Sequence, residues 1–211
     1  MSKLGIVLAA GESTRLPGKV LLPTRKGPVV QSAIDLCRRS GCLNTITVIS
    51  RKEWDDEGVL FNYLNSGVER MCPQDAARGV IDAIRCATRD IVWPDEYLVT
   101  FGDNVYDERE TADALDCASV RRVEAPNADQ LDGWEEWPLK GAWADRGRLP
   151  QLKFAGWLHL SREKLERLVA ASDFLIPAMN AARVRPHVVE RMQWWDIGLP
   201  EAYSHYWRTS K

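Results

Sequence analysis

The chain has 211 residues, 45% of them hydrophobic, and its 28 basic and 30 acidic residues leave a formal net charge of −2. This composition supports one domain with a real core and excludes the global basic surface of a nucleic-acid binder, so any anion site must be local. Five cysteines form no CxxC pair, and no apolar run reaches the roughly 18 residues that span a bilayer. We expect a single cytoplasmic domain over residues 1–211, with no nucleic-acid or membrane partner.

The predicted elements alternate between strands and helices up to residue 104. The first is "LGIVLAA" (4–10), a continuous apolar run typical of a strand that is buried on both faces. The later elements are strands at 45–50, at 69–72 and in "YLVTFGDN" (97–104), which runs out into Gly102, Asp103 and Asn104, and helices at 29–39, 54–67 and 75–88, the last with Asp75 as its N-cap. The alternation predicts an α/β fold with a mostly parallel open sheet and helices on both faces, in three α/β/α layers.

The regular pattern stops after residue 104. Residues 125–150 are polar, aromatic and rich in turn residues, and a stretch of that length predicts a functional loop or lid. Beyond it the pattern predicts a strand at 152–160, a helix at 161–172 capped by Ser161, a strand at 188–195, and a helix that Pro200 begins.

The loop after the first strand is the clearest candidate site. The stretch "LAAGESTRLPGKVLLP" (8–23) places Gly11, Ser13, Arg15 and Lys19 just beyond an apolar strand. Small residues let backbone N–H groups approach an anion, and the two cations add charged donors. The stretch matches neither G-x-x-x-x-G-K-[ST] nor G-x-G-x-x-G, so on its own it is either a structural turn or a phosphate-binding loop.

Two carboxylates occupy comparable positions later in the chain. Asp103 follows the predicted strand in "FGDN", and Asp196 follows another in "WWDIGLPEAY". Either residue could simply cap the next helix. Two carboxylates that converge at the end of a sheet could instead hold Mg²⁺, which prefers a few carboxylates together with phosphate oxygens.

The order of these segments resembles the sugar-phosphate nucleotidyltransferase family. "LAAGESTRLPGKVLLP" is similar to the family's LAAG-x-G-T-R-L loop with a lysine soon after it, "FGDN" to its metal motif, and "WWDIGLPEAY" to its W-x-D-x-G-T-P-E close. "PQDAARGVIDAI" is similar to the segment that reads the base, and "KFAGWLHLS" to a G-x-Y-type strand. The resemblance covers residues 4 to about 206.

The resemblance implies a Rossmann-like, GT-A-like fold and Mg²⁺-dependent nucleotidyl transfer. A sugar 1-phosphate would attack a nucleoside triphosphate, releasing pyrophosphate and forming a nucleotide sugar. Arg15 and Lys19 would be the catalytic cations, and Asp103 and Asp196 the metal ligands. The nucleotide-binding residues would be Ala10, Gly11, Glu12, Ser13, Thr14, Gln74, Gly79 and Gly102.

The resemblance says less about the substrates. The position of Gln74 favours UTP or dTTP, and Gly156 would lie against the sugar. No E-K-P segment precedes the strand at 152–160, so the lysine that contacts the sugar phosphate is assigned to Lys140, with Lys153 as the other candidate. The tryptophans between 134 and 143 are either a lid that stacks on the sugar or a contact within a homo-oligomer.

Three other functions remain open. The short spacing between Arg15 and Lys19 is similar to cytidylyl- or molybdopterin-type relatives, which act on phosphorylated acceptors other than sugars. A GT-A glycosyltransferase would use Asp103 in its metal motif but leaves the two loop cations unexplained. A catalytically inactive nucleotide-binding subunit would explain the missing E-K-P lysine but not the retained carboxylates.

Overall fold

The computed structural model describes residues 2–11, 15–50, 70–76, 78–92, 94–123, 151–189 and 194–210. The helix predicted at 54–67 and the loop predicted at 125–150 lie outside the described residues. Within those ranges, no helix is long and apolar enough to cross a membrane.

Strands and helices alternate over much of the described chain. The strands are β1 (Lys3–Leu8), β2 (Pro23–Thr24), β3 (Gly27–Pro28), β4 (Asn44–Ser50), β5 (Arg70–Gln74), β6 (Glu96–Phe101), β7 (Asn104–Tyr106), β8 (Cys117–Val123), β9 (Gln151–Ser161), β10 (Arg185–Val188) and β11 (Trp194–Asp196). The helices are α1 (Val29–Arg39), α2 (Val80–Thr88), α3 (Arg162–Ala171), α4 (Leu175–Ala181) and α5 (Pro200–Thr209), with a 3₁₀ turn at Lys19–Leu21.

A seven-stranded sheet in the order β10-β8-β9-β6-β1-β4-β5 forms the centre of the described structure. β1 lies parallel to β4 on one side and to β6 on the other, and β4 is parallel to β5. β9 is antiparallel to both of its neighbours, β6 and β8. The predicted mostly parallel α/β sheet is therefore confirmed, with β9 as its antiparallel member. The carboxyl ends of β1, β4, β5 and β6 share one edge.

Helices pack on both faces of this sheet, as predicted. The side chains of β1 alternate: Leu4 and Ile6 belong to a buried cluster with α2, α3 and α4, whereas Val7 belongs to a second cluster with α1. Both clusters contain fully buried Val, Leu and Ile side chains, each of which stabilises the fold by roughly 1.5–3 kcal/mol relative to exposure. A continuous apolar strand is what such a two-sided core requires.

Several predicted elements are confirmed at their predicted positions. α1 covers 29–39, and β4 and β6 follow the predicted β-branched strands. The Ser161 hydroxyl caps α3 by accepting a hydrogen bond from the Lys164 N–H at 3.4 Å. Pro200 occupies the first turn of α5, where its missing N–H costs no helical hydrogen bond.

Two predictions about element boundaries are wrong. Asp75 lies in a turn after β5 and does not cap α2, which begins at Val80 after Gly79, whose φ of 100° is not helical. The strand predicted at 188–195 is not continuous. Val188 ends β10 at the edge of the central sheet, residues 190–193 lie outside the described residues, and Trp194 begins β11, which pairs with β7 in a separate ribbon. The sequence pattern does not reveal which partner each end of such a segment will find.

Candidate active site

A cleft of about 300 Å³ opens where β1, β5 and β6 end. In an open α/β sheet, ligands bind beyond the carboxyl ends of the parallel strands. The residues that line the cleft are Leu8, Ala9, Ala10, Gly11, Lys19, Val20, Gln74, Gly79, Val80, Ala83, Phe101 and Asp103. Six of the residues predicted from the sequence therefore come together here: Ala10, Gly11, Lys19, Gln74, Gly79 and Asp103.

Gly102 joins the two loops that form the floor of the cleft. Its N–H donates to the Leu8 carbonyl at 2.8 Å, which ties the end of β6 to the end of β1. A Cβ atom at Gly102 would lie 3.0 Å from the Ala9 Cβ and 3.1 Å from the Leu8 oxygen, closer than ordinary contact allows. Because glycine has no side chain, the turn that carries Asp103 can lie this close to the first loop.

Lys19 and Asp103 meet inside the cleft. The Lys19 ammonium forms an ion pair with the Asp103 carboxylate, and both side chains are mostly buried. Lys19 begins the 3₁₀ turn after Gly18, whose left-handed φ of 65° suits glycine and redirects the chain. The first loop and the "FGDN" turn, 84 positions apart, therefore form one charged site.

Asp196 does not line the cleft, but it lies on a backbone segment next to Asp103. In the β7–β11 ribbon it lies opposite Asn104, and the Ile197 N–H donates to the Asp103 carbonyl at 2.8 Å. The Asp196 side chain lies beside Gly198, where a Cβ would be 3.1 Å from its Oδ1 atom. The two predicted metal ligands are thus carried by adjacent backbone segments.

This donor set fits Mg²⁺. Two carboxylates on neighbouring segments leave coordination positions for phosphate oxygens and water, which is the usual way this ion is bound together with a phosphorylated substrate. Among the described residues there is no group of three or more acidic, cysteine or histidine side chains that would form an all-protein metal cage. Asp103 lines the cleft and Asp196 does not, so the assignment of both residues as metal ligands stays a prediction.

Gln74 and Gly79 form the opposite side of the cleft. Gln74 ends β5, is 5% exposed, and donates from Nε2 to the Asp82 carboxylate at 2.7 Å. Gly79 precedes α2 with φ near 100° and ψ near 180°, a backbone conformation that is almost restricted to glycine. Asp82 did not emerge from the sequence, although its position in the first turn of a helix beside the predicted base-reading segment was a usable signal.

Tyr106 is a second residue that sequence reasoning missed. Its hydroxyl donates to the Gly156 carbonyl at 2.5 Å and accepts from the Phe101 N–H at 3.2 Å. Burial raises the Tyr106 pKa well above its usual value, so the hydroxyl remains a donor. One buried phenol therefore connects the end of β6 to β9 at Gly156, where φ is 90°.

The remaining predicted residues are not brought into the cleft by the described structure. Arg15 is exposed and, like Asp196 and Gly102, is not among the cleft-lining residues. Gly156 lies within β9, where its carbonyl accepts the hydrogen bond from Tyr106, and it does not line the cleft. Glu12, Ser13, Thr14 and Lys140 lie outside the described residues.

A larger cleft, of about 390 Å³, lies between α1, the β2–β3 hairpin and α5. None of the predicted site residues lines it, and its charged groups have mixed signs, including Arg25, Asp35, Arg39 and Asp107. The smaller cleft is the better active-site candidate because the parallel strands end there.

The fold and the smaller cleft define an α/β protein with a charged pocket where its parallel strands end. The chain belongs to the MobA-like NTP transferase family, whose domain model matches residues 5–173. It is therefore a nucleotidyltransferase, as the resemblance implied. No curated protein matches the chain by sequence.

Solved structures share the fold across almost the whole chain. A protein described as a glucose-1-phosphate thymidylyltransferase from Bacillus anthracis is 18% identical, with a TM-score of 0.70 over 97% of this chain and 94% of that one. A UDP-glucose pyrophosphorylase in complex with UDP-glucose is 18% identical, with a TM-score of 0.67 over 98% and 97%. The CTP:phosphocholine cytidylyltransferase from Streptococcus pneumoniae is 15% identical, with a TM-score of 0.66 over 100% of both chains.

Proposed function

We propose that the protein transfers a nucleotidyl group from a nucleoside triphosphate to a sugar 1-phosphate in a Mg²⁺-dependent reaction that forms a nucleotide sugar. The observation that supports this most directly is the Lys19–Asp103 ion pair in the cleft, with Asp196 on the backbone segment beside it. A cation and two carboxylates at the end of a parallel sheet are the groups that a triphosphate and its metal ion need.

In the proposed reaction, an oxygen of the sugar phosphate forms a bond to the α-phosphorus of the triphosphate. The bond from that phosphorus to the bridging oxygen breaks, and pyrophosphate leaves. The backbone from Ala10 to Thr14 would wrap the phosphates, Lys19 would span them, and Arg15 would stabilise the leaving pyrophosphate. Bound Mg²⁺, held by Asp103 and Asp196, would neutralise charge on the phosphate oxygens.

The protein's part in this reaction is positioning and electrostatics. Phosphoryl-type transfer needs little covalent chemistry from side chains, and most of the rate comes from groups that already face the developing charge. The hydrogen bond from the Gly102 N–H to the Leu8 carbonyl fixes the backbone next to Asp103 in this way. Gln74 and Gly79 would contact the nucleobase, which we take to be that of UTP or dTTP.

A second acceptor class is supported by a specific observation. The chain aligns over its full length with a protein named as a phosphocholine cytidylyltransferase, and over 97% of its length with an inositol-1-phosphate CTP transferase from T. maritima at 14% identity and a TM-score of 0.68. A phosphorylated alcohol could thus replace the sugar 1-phosphate. In either case Gly156 and Lys140 are the residues assigned to the acceptor.

Pyrophosphate release tests the proposal. The purified protein with Mg²⁺ would be assayed with each common nucleoside triphosphate, crossed with a panel of sugar 1-phosphates, phosphocholine and inositol 1-phosphate. We expect release only with one nucleotide–acceptor pairing, and its loss in Asp103→Asn. Asp113→Asn, a change at an exposed carboxylate that does not line the cleft, serves as the matched control. Release without any acceptor, or an unaffected Asp103→Asn variant, would contradict the proposal.

A further inference from the structure

Lys19 and Asp103 hold each other inside the active-site cleft. The Lys19 Nζ atom contacts Asp103 Oδ2, and the two side chains are only 16% and 23% exposed. Both residues line the cleft. A partly buried ion pair is screened by solvent much less than a surface pair, and removal of one member leaves the other charge poorly compensated. Each ion therefore needs a new partner of opposite charge before the pair separates.

The proposed reaction requires a different partner for each of these two residues. Asp103 would hold Mg²⁺, and Lys19 would contact the phosphates. An ammonium that is bound to a carboxylate repels a divalent cation that approaches the same carboxylate, and the carboxylate repels phosphate oxygens that approach the ammonium. The ion pair thus competes with the metal ion for Asp103 and with the triphosphate for Lys19.

The two members of the pair differ in how far they can move. Lys19 carries its charge at the end of a flexible four-carbon chain. The backbone at Asp103 is fixed on both sides, since the Asp103 carbonyl accepts a hydrogen bond from the Ile197 N–H at 2.8 Å. The preceding residue, Gly102, donates its N–H to the Leu8 carbonyl, also at 2.8 Å. Lys19 is therefore the member that moves when the pair separates.

We propose that Lys19 occupies Asp103 in place of the metal ion until a triphosphate draws the ammonium away, so that the cleft binds the metal ion and the triphosphate cooperatively. The inference rests on the proposed function, because it requires a triphosphate at Lys19 and a metal ion at Asp103. It goes further by making Lys19 keep Asp103 closed to metal ions when no nucleotide is bound. Coupling between two ligands is reciprocal, so Asp103 must equally weaken the binding of a metal-free triphosphate.

Metal binding without nucleotide tests the first half of the inference. Mn²⁺ is the probe, and electron paramagnetic resonance measures the free ion in solutions of the whole protein. Lys19→Met should bind Mn²⁺ at least about tenfold more tightly than the wild-type protein, since it opens Asp103 and removes a like charge beside the ion. Lys26→Met should bind Mn²⁺ as the wild-type protein does, because Lys26 is exposed, pairs with Glu108 and does not line this cleft.

Triphosphate binding without metal tests the second half. The probe is inorganic tripolyphosphate in EDTA, which carries the charge of a triphosphate and does not depend on which base the cleft accepts. In calorimetry, Asp103→Asn should bind tripolyphosphate at least about tenfold more tightly than the wild-type protein, since Lys19 then pairs with phosphate alone. Asp113→Asn, at an exposed carboxylate that does not line the cleft, should bind it as the wild-type protein does.

A purely structural role for the ion pair predicts neither gain in affinity. If Lys19→Met binds Mn²⁺ no more tightly than the wild-type protein, or Asp103→Asn binds tripolyphosphate no more tightly, the inference is overturned. A gain in Mn²⁺ affinity that persists in a variant with both substitutions would also overturn it, because the ion would then lie elsewhere. Should thermal unfolding show that Lys19→Met is not folded, Lys19→Gln takes its place under the same criteria, since its amide still donates to Asp103 but carries no charge.

The proposed function and the inference fail in distinguishable ways. If the wild-type protein binds no nucleoside triphosphate in the presence of Mg²⁺, both are wrong. If it releases pyrophosphate with an acceptor but the two gains in affinity are absent, only the exchange at Lys19 is wrong. If both gains are present and triphosphate binds, but no acceptor supports pyrophosphate release, the inference stands and the transferase proposal is contradicted.

Discussion

At the level of single side chains, the cleft depends on a few polar contacts whose partners come from different elements. Lys19 pairs with Asp103 across 84 positions, and the Tyr106 hydroxyl reaches Gly156 across 50. Contacts of this kind are mostly buried, so their loss leaves a charge or a hydrogen-bonding group without its partner, and that costs more than the contact itself contributes.

Replacement of Lys19 tests its proposed role in catalysis. Lys19→Met should lower kcat/KM for pyrophosphate release by about 10²- to 10³-fold, since it removes a preorganised cation that faces developing charge. Lys26→Met is the matched control, because Lys26 is an exposed lysine that pairs with Glu108 and does not line the active-site cleft. Equal losses in the two variants would contradict a specific role for Lys19.

Removal of one hydroxyl tests the connection between β6 and β9. Tyr106→Phe should lower the free energy of unfolding by about 1–3 kcal/mol, because the Phe101 N–H and the Gly156 carbonyl each lose a buried partner. Urea denaturation measures the change. Tyr203→Phe, which removes an exposed hydrogen bond to the Pro23 carbonyl, should cost clearly less. A Tyr106→Phe variant as stable as the wild-type protein would show that the phenol does not hold the two strands together.

At the level of elements, the site is assembled where loops follow strands. The loop after β1 and the turn after β6 touch because β1 and β6 are parallel neighbours in the sheet. The β7–β11 ribbon then places Asp196 opposite Asn104, next to the turn after β6. Each segment supplies one or two groups, and the sheet sets the spacing between them.

Gly102 and Gly11 offer a matched pair of tests at this scale. Gly102→Ala should lower stability by about 1–3 kcal/mol, because its Cβ would overlap the chain at Leu8 and Ala9. Gly11→Ala should leave stability almost unchanged, since no atom of the described residues outside its chain neighbours lies within 4 Å of the added Cβ, yet weaken triphosphate binding. Thermal unfolding and calorimetry measure the two effects. A Gly11→Ala variant as unstable as Gly102→Ala would contradict this account of the loops.

At the level of the whole molecule, one buried carboxyl couples stability to pH. Glu110 is 1% exposed, its Oε1 accepts from the Trp157 indole N–H at 2.7 Å, and its Oε2 has no hydrogen-bond partner among the described residues. Burial raises the pKa of Glu110 from 4.5 to about 7, against the opposing effects of the Trp157 hydrogen bond and the Arg39 charge. The folded protein therefore favours the protonated form.

The sign of the pH effect follows from that raised pKa. The folded state binds this proton more tightly than the unfolded state does. The stability that the protonated Glu110 contributes is therefore complete below pH 4.5 and is lost as pH rises through about 7. The full loss corresponds to about 3 kcal/mol. The difference in free energy of unfolding between Glu110→Gln and the wild-type protein should therefore favour the variant more at pH 8.5 than at pH 5. Urea unfolding at the two pH values measures it.

Comparison with a variant isolates this carboxyl from other titrating groups. Burial also lowers the pKa of His159, which destabilises both proteins equally at low pH and cancels in their difference. Glu108→Gln, at an exposed carboxyl, should follow the wild-type pH profile. A Glu110→Gln variant whose stability relative to the wild-type protein does not change between pH 5 and pH 8.5 would contradict the assignment.

The sequence by itself determined the α/β class, the two-sided burial of β1, and the groups that lie just beyond strands, such as Gly11, Lys19 and Asp103. These features are local, because apolar periodicity, turn residues and caps act over a few positions. Only the tertiary structure decided which distant groups meet. It placed Val188 and Trp194 in different sheets, moved the start of α2 from Asp75 to Val80, and paired Gln74 with Asp82 and Tyr106 with Gly156. Those outcomes depend on strand order and on which partners the buried polar groups find. Neither of these features is visible as a periodic pattern in the sequence.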